Sequence, residues 1–239
     1  MISIIIPTLN EEKLIRETLS RLKSSMTLPH EIIISDGKST DTTVEIARRL
    51  ADNVVVYSGT ARQTIAQGRN AGARVATGDF LVFLDADCRI ENPDKLFTLA
   101  LESFKNDPRL VGQSAWIKVF PENETFGDNV VWTFMNYSNV LLNLVGIGGA
   151  PGEFQMIRKE AFERVSGYNE QLIATEDYDM FNRLSKIGRV RLNTALVVFH
   201  SGRHGHVLGW PKLLFLWFMN TLSYTIRGKS FSREWTVIR

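Results

Sequence analysis

The segment GDFLVFLDAD, residues 78–87, is the most informative part of the sequence for predicting the fold. Gly78 is predicted to end a helix, and the apolar run from Phe80 to Leu84 predicts a buried strand. The run stops at Asp85 and Asp87, so both carboxylates follow the C-terminal edge of that strand. Ligands bind at such edges in α/β sheets. The sequence therefore predicts a binding site at this edge.

The residues before this stretch repeat a strand-then-helix pattern. Apolar runs predict strands, and stripes of apolar residues at helical spacing predict helices between them. Asn10 is interpreted as the cap of the first helix. Repeated βα units with short connections predict a parallel, doubly wound α/β sheet. The predicted strands are 2–7, 31–35 and 53–57, and the predicted helices are 10–26, 44–51 and 61–76.

Two acidic motifs carry the predicted chemistry. Asp85 and Asp87 can both turn toward a hard cation, which would neutralise a diphosphate. The second motif, in IATEDYDMFNRL (173–184), begins a helical pattern and offers a carboxylate for proton removal. A metal-diphosphate site with a separate base is suited to moving a group from a nucleoside diphosphate carrier to a hydroxyl.

Read together, five segments of the sequence resemble the family 2 glycosyltransferases, which have the GT-A fold. The resemblance covers roughly the first 200 residues, and five motifs occur in the family's order. It implies a mostly parallel, Rossmann-like sheet with flanking helices. Beyond the resemblance, the aromatic and basic residues of the tail predict a C-terminal amphipathic helix. The matching segments are SIIIPTLNEE (3–12), EIIISDGKSTDTT (31–43), GRNAGARVATGDFLVFLDAD (68–87), FQMIRKEAFERVSGYNE (154–170) and ATEDYDMFNRLSKIG (174–188).

The resemblance also implies roles for individual residues. Asp177 would be the general base and Glu176 would tune it. A divalent cation, Mn or Mg, would be held by Asp85, Asp87 and His200. The nucleotide sugar, with uracil or guanine as its base, would meet Pro7, Thr8, Glu11, Asp36, Arg62, Arg69, Asp85, Ala86, Asp87 and Arg203.

Several of these residues also have a purely structural interpretation. Asp36 could serve the turn with Gly37, and His200 could be structural. Arg62 and Arg69 could be solvated charges on a helix, and Asp177 could simply favour a helix N-terminus. Asp85 and Asp87 could merely cap the next element.

Transfer by a single in-line displacement would invert the anomeric configuration. Processive members of the family carry Gln-x-x-Arg-Trp, which does not occur in this sequence, so transfer of one sugar per encounter is favoured. A sugar-phosphate nucleotidyltransferase lacks support because its Gly-x-Gly-Thr-Arg start is missing. A dehydrogenase would need Gly-x-Gly-x-x-Gly after the first strand, but residues 7–12 contain no glycine. A catalytically inactive nucleotide-sugar-binding or scaffold protein is the alternative from another class.

Composition and charge bear on location and partners. Net charge is +2, but from His200 onward six Lys or Arg residues face one acid. Met1 leads straight into a predicted strand, which is not the pattern of a signal peptide. Cys88 is the single cysteine in the sequence, so it cannot form an internal disulfide. We therefore expect a cytoplasmic protein, either free or peripheral on the cytoplasmic face of the membrane, and no nucleic-acid partner. The predicted division is 1–206, with a nucleotide half 1–92 and an acceptor half 93–206, and a tail 207–239.

Two segments leave alternatives open. Residues 129–152 are uncharged, which indicates either a buried helix and loop or a wall that binds the acceptor, a glycan or a lipid-linked glycan. The basic tail is either an interfacial helix on an anionic membrane, or a helix packed on the body or on a second copy in a homodimer. Its aromatic residues are Trp210, Phe215, Trp217, Phe218, Tyr224, Phe231 and Trp235.

Overall fold

The computed structural model describes residues 1–234 and 238, and they form one mixed sheet with helices on both faces. Trp235 therefore lies outside the described residues. The strands are β1 (Ile2–Thr8), β2 (His30–Asp36), β3 (Asn53–Val56), β4 (Phe80–Leu84), β5 (Cys88–Arg89), β6 (Leu110–Val119), β7 (Phe154–Arg158) and β8 (Arg189–His200). The helices are α1 (Glu12–Ser25), α2 (Thr43–Leu50), α3 (Ile65–Val75), α4 (Pro93–Asn106), α5 (Phe126–Leu144), α6 (Lys159–Arg164), α7 (Glu176–Ser185), α8 (Arg203–Leu208) and α9 (Trp210–Arg227).

The sheet has the strand order β3-β2-β1-β4-β7-β6-β8-β5. Strands β1 to β4 are parallel to one another, and β6 is parallel to β8. Strand β7 is antiparallel to both of its neighbours, β4 and β6, and β5 is antiparallel to β8. The sheet is therefore mostly parallel, as predicted, but not wholly parallel. Because Leu84 pairs with Phe154, the residues just before β7 lie beside Asp85.

The central strands are buried on both faces, which explains their continuous apolar runs. Ile4 and Ile6 pack into one hydrophobic cluster, whereas Ile5 packs into a second cluster on the other face. This alternation follows from the two-residue period of a strand. The single cysteine, Cys88, is 2% exposed, and burial raises its thiol pKa well above the ordinary value. It is a small core residue, as the sequence suggested.

Two predicted helix starts are wrong. Helix α1 begins at Glu12, and Asn10 is not its cap, since its Oδ1 accepts a hydrogen bond from the Thr40 N–H at 2.8 Å. Asn10 has a left-handed φ of 56°, which asparagine tolerates better than most residues. Helix α3 begins at Ile65, because Thr64 and Gln67 form a capping box there. Arg62 therefore lies on a loop, and the predicted helix over 61–76 is shorter.

The uncharged segment is only half buried, so the expectation of a buried helix and loop fails on its outer face. Helix α5 buries Val131, Trp132 and Asn136 against the body. Its other face is apolar yet exposed, with Phe134 at 66% and Leu144 at 79%. The exposed apolar side chains of α5 are Phe126, Val130, Phe134, Tyr137, Leu141 and Leu144.

Helix α9 in the tail has the same two-sided character. Leu213 and Asn220 are buried, so the helix packs on the body. Phe215, Phe218 and Ile226 are exposed on its other side. Among the described residues, no helix combines the length and the hydropathy needed to cross a bilayer.

Candidate active site

A cavity of about 680 Å³ opens at the carboxyl ends of β1 and β4. Both acidic motifs line it, Asp85 and Asp87 from the end of β4, and Glu176 and Asp177 from the start of α7. The fold therefore brings together two motifs that are far apart in the sequence. This cavity is the candidate active site.

Arg69 links the two motifs. Its guanidinium donates from Nη1 to Glu176 at 2.9 Å and from Nη2 to Asp85 at 3.1 Å and to the Gly152 carbonyl at 2.9 Å. Arg69 is 1% exposed, so it is not a solvated charge. Although burial opposes the effect, Asp85 and Glu176 raise the pKa of Arg69, which keeps it charged. Its proposed contact with a diphosphate stays a prediction.

The two carboxylates of the first motif differ in their surroundings. Burial raises the pKa of Asp85, even though Arg69 opposes it. Burial also favours the neutral form of Asp87, but Arg203, His200 and the hydrogen bond from Ser201 together outweigh it and lower the pKa of Asp87. Arg203 Nε lies 3.1 Å from Asp87, and Ser201 donates a hydrogen bond to the same carboxylate. Asp87 is therefore held as an anion.

Arg203 closes one side of the cavity. It donates from Nη1 and Nη2 to the two carboxylate oxygens of Glu11, at 2.9 and 2.8 Å. This bidentate pair ties the start of α8 to the residue just before α1. Arg203, which was predicted to contact the nucleotide sugar, therefore lies between two acids, Glu11 and Asp87.

His200 is the last residue of β8. It lies beside the first motif because it pairs with Cys88 of β5. Its Nδ1 accepts from the Gly202 N–H at 3.3 Å, while its Nε2 is buried with no hydrogen-bond partner among the described residues. Burial lowers the pKa of His200 to about 4, so the imidazole is neutral at physiological pH. A neutral ring with an unpartnered nitrogen fits a metal ligand.

The metal prediction has mixed structural support. The orphaned His200 nitrogen and the ionised Asp87 are suitable ligand chemistry for a divalent cation. However, within residues 1–234 and 238 no group of three or more His, Cys, Asp or Glu side chains is arranged to hold a metal ion. Arg203 occupies the neighbourhood of Asp87 instead. The residues fit a cation in type, but not as a preformed cluster.

The second motif has an unusual backbone. Thr175 has a left-handed φ of 67°, which is costly for a β-branched residue. Burial first, and then Asp177, raises the pKa of Glu176 to about 7. Burial also raises the pKa of Asp177, against the effect of Arg69. A carboxyl with a raised pKa is a better proton acceptor at neutral pH.

Asp36 serves the turn rather than the cavity. It is fully buried, accepts from Thr8 Oγ1 at 2.8 Å, and accepts from the Lys38 and Ser39 N–H groups at 3.0 and 2.8 Å. Neighbouring Thr8 and Gly37 do line the cavity. The turn interpretation is thus supported, and contact between Asp36 and a nucleotide stays a prediction.

The remaining predicted contacts lie around the same cavity. Pro7, Glu11 and Ala86 line it from the ends of the first and fourth strands. Arg62 also lines it from the loop before α3, with Nη1 at 4.0 Å from Glu234 Oε2. All of the predicted site residues except Asp36 therefore line one cavity.

Gly152 and Glu153 belong to the site but were not predicted. The antiparallel β7 places them beside the first motif, and the Asp85 N–H donates to the Glu153 carbonyl at 3.1 Å. A Cβ on Gly152 would lie 3.1 Å from Asp177 Oδ2 and 3.3 Å from Arg69 Nη2. Burial and then Asp85 raise the pKa of Glu153 to about 8. Nothing in the local sequence indicates that β7 runs antiparallel to β4 after the uncharged segment. The position of these two residues beside Asp85 could therefore not be predicted.

The end of the tail braces the second motif, which was also missed. Ser230 Oγ accepts from the N–H groups of Ile173 and Ala174 at 3.0 and 3.1 Å, and donates to the Ala174 carbonyl at 2.8 Å. Buried Asn220 of α9 holds the next residues, with Oδ1 accepting from the Phe231 N–H at 3.0 Å. The backbone just before Thr175 is therefore fixed by the tail.

The chain is similar to known proteins in sequence. A family model described as glycosyl transferase family 2 matches residues 3–166. The chain is 33% identical over 199 residues to the succinoglycan biosynthesis protein ExoA of Rhizobium meliloti (strain 1021), which covers 77% of this chain. The chain spans 58% of the length of that relative.

Solved structures share the fold. Mannosyltransferase PcManGT from Pyrobaculum calidifontis, in complex with GDP-Man and Mn2+, aligns with a TM-score of 0.74 and 22% identity, over 95% of this chain and 64% of that one. Glucosyl-3-phosphoglycerate synthase from Mycobacterium tuberculosis, in complex with Mn2+, UDP and glucosyl-3-phosphoglycerate, aligns with a TM-score of 0.60 and 20% identity, over 93% and 79%. At these identities the likeness shows the fold alone, and it confirms the predicted GT-A type.

Proposed function

Because the chain belongs to glycosyl transferase family 2, we propose that it transfers one sugar from a nucleoside diphosphate sugar to an acceptor hydroxyl in glycan synthesis. The observation that carries the proposal is the cavity that holds both acidic motifs, joined by buried Arg69. Activated donor and acceptor must meet at one point for transfer, and this cavity offers an anionic edge for the donor and a separate base for the acceptor.

On the donor side, the wall formed by Pro7, Thr8 and Gly37 would receive the nucleoside. Asp85, Asp87 and His200 would hold a divalent cation, Mn or Mg, which supplies charge neutralisation for the leaving diphosphate when bound. Complexes of two proteins of the same fold contain Mn2+, one with GDP-Man and one with UDP. These support a cation and a UDP- or GDP-sugar as donor.

On the acceptor side, Asp177 would accept the proton of the attacking hydroxyl. Burial raises the pKa of Asp177, Glu176 would tune this base from the adjacent position, and Arg69 would fix the position of Glu176. Attack from the face opposite the leaving diphosphate inverts the anomeric configuration. Intact carboxylates, buried at Asp87 and Glu176 and half-buried at Asp85 and Asp177, favour an active transferase over an inactive scaffold, and the family match disfavours a nucleotidyltransferase.

We also infer where the protein acts and which class of acceptor it uses. The exposed apolar faces of α5 and α9 and the exposed Lys212, Arg227 and Lys229 fit peripheral binding to the anionic cytoplasmic face of a membrane. A protein at that surface would act on a glycan or a lipid-linked glycan. A homodimer that covers the same faces is the competing arrangement.

Removing the metal tests the donor site. We expect EDTA to abolish the binding of a UDP- or GDP-sugar measured by calorimetry, and Asp87→Ala to weaken it at least tenfold while the protein stays folded at the temperature of the measurement. Glu122→Ala is the matched control, since Glu122 is an exposed acid that pairs with Arg89 and does not line the cavity. Equal nucleotide affinity with and without metal would show that Asp87 does not act through a cation.

A further inference from the structure

The cavity continues beyond the carboxylates into a groove between α5 and α9. The groove's two walls consist of uncharged residues from these helices, and the charged residues that line the cavity lie on other elements. The α5 wall is formed by Trp132, Met135, Ser138, Asn139 and Leu142, and the α9 wall by Trp210, Leu213, Trp217, Asn220 and Thr221.

The groove is continuous with the reaction site. Ile173, Ala174 and Tyr178, which flank Asp177 in sequence, line the same cavity as the two helical walls. The ring of Trp132, on the α5 wall of the groove, lies 4.6 Å from the ring of His200. A molecule seated in the groove can therefore place one end beside the carboxylates.

The walls suit a hydrocarbon chain better than a second sugar. Sugars stack on open aromatic faces, but the three tryptophans pack edge to face on one another, with interplanar angles of 63°, 85° and 64°. Leu142 and Met135 extend the apolar wall along α5. Six of the ten wall residues are apolar, and the amide groups of Asn139 and Asn220 donate to carbonyls of their own helices, so burial of apolar surface is the main interaction this groove offers.

The rim of the groove indicates where such a chain comes from. Outside the groove, α5 and α9 expose rows of large apolar side chains, including Phe134 at 66% and Phe218 at 62%. The sequence has no Asp or Glu over 129–152 or 200–233, and Lys212, Arg227 and Lys229 are exposed. Apolar rows with only basic charges nearby complement an anionic bilayer.

We propose that the groove between α5 and α9 binds the hydrocarbon chain of a lipid-linked acceptor that enters from the bilayer. This rests on the proposed sugar transfer and names its acceptor class. The chain would lie between the helices, and the polar head would lie toward Asp177.

Farnesyl phosphate and inorganic phosphate test the groove in solution, because they share a head group and differ in the chain. We expect the full-length protein to bind farnesyl phosphate, below its micelle concentration, at least tenfold more tightly than phosphate in calorimetry. Leu142→Glu should weaken farnesyl phosphate at least tenfold. Leu141→Glu is the matched control, since Leu141 is 61% exposed on the outer face, and it should change the affinity less than twofold.

Nucleotide binding separates failure of the groove from failure of the proposed function. If UDP or GDP binds normally but farnesyl phosphate binds no better than phosphate, the groove takes a soluble acceptor and the inference is wrong. Equal effects of Leu141→Glu and Leu142→Glu would also overturn it. Should Leu142→Glu lose nucleotide binding through misfolding, Thr221→Trp, which fills the groove from α9, must block farnesyl phosphate instead. Loss of nucleotide binding in the wild type would count against the proposed function alone.

Discussion

At the scale of single residues, Asp177 is the side chain whose replacement most directly tests the proposed chemistry. Asp177→Asn preserves size and removes proton acceptance, so we expect turnover to fall by about 10² to 10⁴. Donor affinity should stay within twofold, because the donor residues lie at the ends of β1 and β4. Single-turnover rates and calorimetry measure the two effects. A variant with near wild-type turnover would move the base elsewhere, with Glu176 as the first candidate.

The pKa of the base should also be visible in a pH profile. Burial raises the pKa of Glu176 to about 7 and raises that of Asp177, and a base works only when deprotonated. Turnover should therefore fall about tenfold per pH unit as the pH drops below the raised pKa of Asp177. Glu176→Gln removes the neighbouring negative charge, so the pKa of Asp177 should fall and the acid limb should move to lower pH. An unchanged limb in this variant would show that the pair does not set it.

At the scale of elements, the helix-strand pattern of the first half could be predicted from sequence, whereas the partners of its side chains could not. Strand β4 and the acidic pair follow from an apolar run that ends in two carboxylates. Arg69 remained ambiguous, because helical spacing does not reveal a partner such as Glu176 far along the chain. Gly152 was missed because its role depends on β7 running antiparallel to β4. Local patterns predict elements, but long-range pairing decides which residues meet.

The tail segment after α9 makes a testable contact with the catalytic loop. Ser230 makes three hydrogen bonds to Ile173 and Ala174, next to the strained Thr175. Ser230→Ala should cost about 1–3 kcal/mol of stability and lower turnover roughly tenfold to hundredfold by misplacing Asp177. Donor affinity should not change. Ser232→Ala is the control, since Ser232 contacts Asn220 and not the loop. Equal turnover of the two variants would exclude a positioning role for Ser230.

At the scale of the whole molecule, the exposed apolar side chains are concentrated on one part of the chain. Outside α5, the loop after it and the C-terminal region, the large exposed ones are Met1, Val56 and Val75. The sequence drew attention to residues 129–152 by their lack of charge and to the tail by its basic and aromatic residues, but both patterns were compatible with burial against the body. Only the packed structure shows that each helix buries one face and leaves the other apolar and open.

This distribution predicts binding to anionic vesicles through two helices rather than through the tail alone. The double variant Phe134→Glu, Phe218→Glu removes apolar contact from both faces and adds charge repelled by the lipid, so flotation with phosphatidylglycerol vesicles should fall at least tenfold. Val56→Glu, an exposed apolar residue on β3, is the matched control and should float like wild type. Sedimentation without lipid gives the competing result. If the wild type is a dimer that the double variant converts to a monomer, and neither floats at low salt, a second copy of the chain covers these faces.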